Sequence, residues 1–460
     1  MTSAQPSAEN EAVVSAGRLR GERTDGGLTV FRGVPYARAG RFTPPEPVEP
    51  WPDVRDATSD GPISPQPPSR LGAVMGPPRD GLVQADDCLN LTVVTPDTGG
   101  RRPVMVWIHG GAYVTGASSF GFYDGRRLTV EGDIVFVAIN YRLGALGYLQ
   151  LDGVSPGNLG LLDQLAALRW VKENIAAFGG DPDQVTVFGQ SAGAHSLACL
   201  LAMPAARGLF RRAILQSPPL GLGLASPARA ARIARYFTTA LGRDPRSATV
   251  DEIVSAQTAA IVRASGPGGL GSPPFCPTAG AGPLSGLDRW PAALTVANVD
   301  VLIGFTRSEM NSFVNGKPET EWLTRLPFIG RRVFEAVKAI IGRRIFDSPS
   351  LKLADACAAA GRQVFTYRFD WAPPGSIFGA CHCIELPFLL GDQKAWAAAP
   401  MLGDASWDGI DEFGHDLRRA WLSFACDGKP DGWRAHHPGA GIGKYWLGPV
   451  SAPAAVTEAA

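Results

Sequence analysis

An α/β architecture, a mostly parallel sheet flanked by helices, is the fold class this sequence predicts. Short β-branched apolar runs recur along it, longer amphipathic patterns separate them, and glycines and prolines punctuate the changes. With 45% hydrophobic and 19% charged residues over 460 positions, a large buried core is available.

Residues 1–14 are small and polar and read as a disordered tail. The stretch 43–79 carries Pro44, Pro45, Pro65, Pro67, Pro68, Pro77 and Pro78. Such a segment is expected to be irregular and to wrap over the surface. Strands follow at 91–94, 104–108, 134–139 and 185–188, then at 213–216, 299–305 and 364–369. Their nearly continuous Val, Ile and Phe content suits strands covered on both faces. Residues 158–178 place Leu161, Leu165, Leu168, Val171 and Ile175 on one helical stripe, which Gly179 and Gly180 stop. Residues 192–201 and 411–425 are further helices. The segments 225–283 and 311–362 fit the alternation poorly and read as insertions forming a reduced helical cap over the active edge of a single domain, 1–460.

Lys and Arg number 43 against 43 Asp and Glu, so no basic face points to nucleic acid. The first residues lack the apolar core of a secretory signal, and no apolar run approaches the roughly 18 residues of a membrane span. Seven scattered cysteines are an odd set for a disulfide framework, so a reducing cytoplasm is expected.

Chemistry concentrates at Gly189-Gln190-Ser191-Ala192-Gly193. Alone, the G-x-S-x-G spacing is an ordinary glycine-rich turn. Here a strand precedes it and an Ala/Leu-rich helix follows, a tight junction that admits only small residues beside the serine and exposes its hydroxyl at a helix N-terminus. Upstream, His109-Gly110-Gly111-Ala112-Tyr113 follows directly on another strand. Small residues there allow backbone N–H groups to face a developing oxyanion.

Ordered matches then extend along the chain: Phe31-Arg32-Gly33-Val34-Pro35-Tyr36-Ala37, Arg41-Phe42, Asp86-Asp87-Cys88-Leu89-Asn90-Leu91, the His109 string, Asn140-Tyr141-Arg142-Leu143-Gly144, and Gly157-Asn158-Leu159-Gly160 through Gly179-Gly180-Asp181-Pro182 to the serine. With these, the sequence from about residue 27 to 430 resembles the type-B carboxylesterase/lipase family, which includes bacterial p-nitrobenzyl esterases and cholinesterases. The resemblance implies the α/β-hydrolase fold and a Ser-acid-His triad in chain order. Gly304-Phe305-Thr306-Arg307-Ser308-Glu309 and Gly379-Ala380-Cys381-His382-Cys383-Ile384-Glu385 match the acid and histidine segments, so the implied triad is Ser191, Glu309 and His382. The implied oxyanion donors are the N–H groups of Gly111, Ala112 and Ala192. Ser217 matches a serine that supports the histidine, although Pro218 replaces the usual glycine.

General chemistry asks for the same residue types, because a serine hydroxyl needs a base and the base a carboxylate that orients it. Of six histidines, His109 belongs to the glycine loop and His195 lies one helical turn past the serine. His415 sits on an amphipathic helix, and His436 and His437 occupy a polar stretch, which leaves His382 as the base. No metal or organic cofactor is required. Cys381 and Cys383 flank His382 but have no second ligand cluster.

Departures narrow the substrate. Gln190 stands where a glutamate is common, and no tryptophan occurs between Trp51 and Trp107. A cationic choline ester is therefore not expected. Ser64 occupies the position of a disulfide partner of Cys88, leaving that thiol free. Arg142 with Asp163, and Arg41 with Asp86, resemble the family's buried ion pairs. Phe275, Phe305 and Phe313 are apolar candidates either for the acyl pocket or for the core. The expected reaction is hydrolysis of uncharged small to medium acyl esters through an acyl-enzyme. A lipase, an amide or carbamate hydrolase, and a non-catalytic adhesion protein of the same fold stand as alternatives, and the oligomeric state is open.

Overall fold

The computed structural model describes residues 10–265, 273–284, 298–316 and 330–448. Its centre is a ten-stranded sheet. The strands are β1 (Glu22–Arg23), β2 (Thr29–Pro35), β3 (Asn90–Thr95), β4 (Arg102–Ile108), β5 (Val135–Ile139), β6 (Gly180–Gln190), β7 (Arg212–Gln216), β8 (Asp300–Thr306), β9 (Val364–Phe369) and β10 (Lys444–Trp446). Their spatial order is β10-β9-β8-β7-β6-β4-β5-β3-β2-β1. From β10 to β5 all pairs are parallel, and β3, β2 and β1 continue antiparallel at one edge.

Strand order reverses between β4 and β6. The chain leaves β4 for β5 on one side, then crosses back to β6 on the other. Loops leaving the carboxyl ends of two such strands diverge and open a crevice, the usual ligand position in an open α/β sheet. Ile108 pairs with Gly189, so both strands end level there.

Successive side chains of each strand enter opposite layers. Val104, Val106 and Ile108 of β4 join one core, packed under α1 (Leu159–Asn174) and α2 (Ala192–Ala202). Met105 and Trp107 join the other, which holds Leu417, Trp421 and Phe424 of the C-terminal helix Trp407–Asp427. That two-sided burial is why the strands read as continuous apolar runs.

Four expectations need correction or restriction. Glu11–Val14 is a strand paired antiparallel with Gly17–Arg20, because Ala12 and Val14 bury into the core; residues 1–9 of the expected tail lie outside the described residues. The proline-rich stretch is not wholly superficial. Ser64 and Gln66 are buried, and the Gln66 side chain pairs with both backbone groups of Gly116 at 2.7 and 3.0 Å, which satisfies buried polar atoms that a loop would normally leave to water. Within 225–283 lie α3 (Pro227–Leu241) and α4 (Val250–Ser265), with 266–272 outside the described residues. Within 311–362, where 317–329 lie outside them, α5 (Gly330–Gly342) runs through a π-helical turn (Arg343–Asp347) into α6 (Ser348–Ala359). Leu353, Ala354 and Cys357 of α6 bury into the sheet's core, so this helix is a β8-to-β9 crossover rather than cap.

Candidate active site

Ser191 links β6 to α2 at φ 56° and ψ −122°, a strained conformation for a non-glycine residue. The turn requires glycine at position 193, where a side chain has no room. A Cβ on Gly193 would lie 2.0 Å from the Ile108 carbonyl oxygen. The Ser191 N–H donates to the Gln216 carbonyl, and its own carbonyl accepts from His195 N–H, fixing the residue from both sides at 2.9 Å. The site therefore sits on the carboxyl end of β6, at the crevice where strand order reverses.

The loop after β4 faces it. Gly111, Ala112 and Tyr113 all have positive φ, at 110°, 55° and 65°. A Cβ on Gly111 would meet the Thr115 carbonyl at 2.0 Å, so glycine is required there. Each left-handed non-glycine residue costs about 1–3 kcal/mol and persists only when neighbours over-determine it. The Gly111 carbonyl accepts from Val114 and Thr115 N–H, and Tyr113 accepts from Gly144 N–H at 2.7 Å. The N–H groups of Gly111 and Ala112 have no acceptor among the described residues. Ala192 opens α2, so the helix cannot use its N–H either. His109 donates from Nδ1 to the Gly110 carbonyl at 2.8 Å and stacks on Tyr141. Burial lowers its pKa to about 4, so it orients the loop as a neutral ring.

Glu309 and His382 meet in a fully buried pair, Oε2 to Nδ1 at 2.5 Å. Thr306 N–H donates to Glu309 Oε1 at 2.7 Å, and Ser312 Oγ donates to the His382 carbonyl at 2.9 Å. Phe313 and Phe346 flank the imidazole, with ring centroids 5.1 and 5.2 Å away. Because the carboxylate can only accept, Nδ1 carries the proton, and in the neutral ring Nε2 presents a lone pair. That lone pair faces the Gln190 amide at 3.1 Å, which assigns the amide as donor. No hydrogen bond joins Ser191 to His382 among the described residues. Such contacts commonly tighten only when substrate is bound.

Of the other expectations, Ser217 is buried at φ 47° with no partner for its hydroxyl, so it makes no hydrogen bond to His382. Phe313 lines the pocket beside Ser191, whereas Phe275 and Phe305 belong to the core. Ser64 lies against the Cys88 thiol, which burial pushes up to about 12. All seven cysteines are free. Among the described residues no cluster suits a metal, and no helix is long and apolar enough to cross a membrane.

Glu385 was not anticipated. It is fully buried, accepts from Gln216 Nε2 at 2.9 Å and Tyr367 OH at 3.2 Å, and leaves Oε2 without a partner. Burial, with help from the nearby Glu309 charge, raises its carboxyl from 4.5 to about 7. The unfolded chain ionises it earlier, so this group costs stability as pH rises from 4.5 to 7, by about 3 kcal/mol in total. Glu385→Gln mimics the protonated acid. Its melting temperature should match wild type at or below about pH 4, exceed it increasingly up to about pH 7 and hold that margin above it; parallel melting curves across that range would sink the assignment.

The profile of the carboxylesterase family matches residues 8–325. A probable N-octanoylanthranilate hydrolase, AqdA2, of Rhodococcus erythropolis is 45% identical over 424 residues, spanning 90% of this chain and 93% of the relative. The para-nitrobenzyl esterase of Bacillus subtilis (strain 168) is 36% identical, spanning 92% and 91% respectively. Among solved structures, the Geobacillus stearothermophilus carboxylesterase EST55 superposes with a TM-score of 0.76 at 35% identity, covering 93% of this chain and 94% of its own.

Proposed function

Because the chain belongs to the carboxylesterase family and is a carboxylic ester hydrolase of the α/β-hydrolase fold, we propose that it works through an acyl-enzyme on Ser191, with His382 as base and Glu309 as its orienting acid. The observation that carries this reading is the buried Glu309–His382 pair at 2.5 Å, with the imidazole Nε2 turned to the Gln190 amide, the residue next to the strained serine.

Ser191 Oγ attacks the ester carbonyl carbon as its proton passes to Nε2. The tetrahedral oxyanion takes hydrogen bonds from the N–H groups of Gly111, Ala112 and Ala192. His382 returns the proton to the leaving alcohol oxygen as the C–O bond breaks. Water then attacks the acyl carbon as it loses a proton to His382, and the C–Oγ bond breaks as that proton returns to Ser191 Oγ, releasing the carboxylic acid. Phe120, Phe122, Met310, Phe313 and Phe346 give the pocket apolar walls, which suits uncharged acyl groups of small to medium size. Seven free thiols, six of them buried, support a reducing, cytoplasmic compartment.

A fluorophosphonate should form one covalent adduct, located by mass spectrometry on Ser191, with loss of p-nitrophenyl butyrate turnover in proportion. Labelling elsewhere, or labelling without inactivation, would refute the nucleophile. A second reading, cleavage of an N-acyl amide bearing an anionic leaving group, is favoured by one observation. Among the described residues Arg70 is the single charged side chain lining the pocket, and Gln190 adds no opposing charge. Arg70→Ala should then lower kcat/KM for N-octanoylanthranilate while sparing p-nitrophenyl octanoate.

A further inference from the structure

The pocket holds a second histidine that the reaction above does not use. His195 lies on α2 one turn past Ala192, is 2% exposed, and its Nδ1 is 2.6 Å from the Tyr113 hydroxyl. It also engages the Gly223 carbonyl, and burial lowers its pKa to about 4. The Tyr113 hydroxyl can donate to Nδ1 or accept from it, and the contact ties the two residues together in either tautomer. Buried and neutral, the ring has its Nδ1 engaged by the Tyr113 hydroxyl.

Its placement points to another role. Two of the proposed oxyanion donors, Gly111 and Ala112, ride on a loop whose backbone is left-handed at consecutive non-glycine residues. The third, Ala192, rides on α2. Catalysis by such donors depends on their spacing, because they must be preorganised around one oxygen atom. The Tyr113–His195 bond is a direct side-chain connection between the strained loop and the helix. Tyr113 is further fixed by its carbonyl on Gly144 N–H and by an edge contact with Tyr148, centroids 4.8 Å apart. An apolar residue at 195 would fill the same volume without burying polar atoms, so packing alone does not call for a histidine.

We propose that His195 is a positioning residue, which through Tyr113 locks the oxyanion loop to α2 and so sets the distance between the donors on the two elements. This inference rests on the acyl-enzyme reading of the site. A role confined to positioning acts on the tetrahedral state more than on the bound ester, and acts only through the pair.

The test measures kcat and KM for p-nitrophenyl butyrate, Ki for an alkyl trifluoromethyl ketone (which forms a tetrahedral oxyanion on the serine), and melting temperature. The variants are His195→Leu, His195→Asn, Tyr113→Phe and the Leu/Phe double. Expected for His195→Leu is a fall in kcat of about tenfold to a hundredfold, below the roughly 10²–10³ typical of deleting one donor outright. KM should stay within about twofold, and Ki should weaken by the same factor as kcat. Tyr113→Phe should behave alike, and the double should be no worse than either single, since both remove one connection. Asn, which keeps an acceptor near the Nδ1 position, should recover part of the loss. The proposal is overturned if the folded variants keep wild-type kcat and Ki, if losses appear in KM or melting temperature alone, or if the two substitutions add. Should His195→Leu fail to fold, Tyr113→Phe and His195→Asn decide by the same criteria. A wild-type enzyme that neither turns over nor labels at Ser191 would overturn the underlying reading together with this one; an active, labelled wild type beside unaffected variants would overturn this one alone.

Discussion

Replacing Ser191 by alanine is expected to lower kcat/KM for p-nitrophenyl butyrate by at least about a thousandfold, with circular dichroism and melting temperature unchanged. Alanine keeps the Cβ that packs beside Gly110 and meets the same steric demand at φ 56°, so the turn loses a hydroxyl and little else. Residual activity should come from the binding pocket and the oxyanion donors, which do not depend on Oγ. A folded variant within tenfold of wild type would require another nucleophile and would remove the proposed acyl-serine. Equal inertness of both folded proteins would instead turn attention to a substrate outside the p-nitrophenyl esters.

Asp163→Ala should cost about 3–5 kcal/mol, a large part of an ordinary domain's 5–15. Arg142, in the loop after β5, sends Nη2 and Nε to the Asp163 carboxylate of α1 at 2.6 and 2.8 Å, and both side chains are essentially sealed from solvent. The Arg142 N–H also donates to Asp163 at 3.1 Å, while Nη1 reaches the Thr43 carbonyl at 2.7 Å. Removing the carboxylate leaves a buried guanidinium with only carbonyl partners, a far worse state than an apolar pair of the same size. The check is the denaturation midpoint of Asp163→Ala beside an Arg142→Met/Asp163→Leu double. The single should lose most of its stability and the double should regain a good part. A single variant within about 1 kcal/mol of wild type would mean that water or another group neutralises Arg142.

The strands, the helix 158–178 and the serine turn were legible because each is governed by neighbours in sequence. Apolar runs report burial on both faces, leucine spacing reports a helical stripe, and Gly193 stands where the Ile108 carbonyl leaves no room for a side chain. Glu309 and His382, 73 residues apart, became candidates through their motifs, but their contact depends on β8 and the loop after β9 closing on one another. Ala12 and Val14 looked like part of a polar tail, since so short an apolar stretch after a run of small polar residues gives no period to read. The helix Ser348–Ala359 escaped as a crossover for a related reason, because its burial shows only once β8 and β9 lie side by side.

Local sterics and periodicity were enough to dictate the α/β class, the nucleophile turn and the residue types that an acyl transfer needs. Which polar groups share a buried space was settled by the closed fold. It turned the Gln190 amide toward His382, left Ser217 without a partner, gave Glu385 its raised carboxyl, and joined His195 to Tyr113. Those outcomes depend on desolvation and on hydrogen bonds between residues tens to hundreds of positions apart, and such terms have no value until the chain has closed around them.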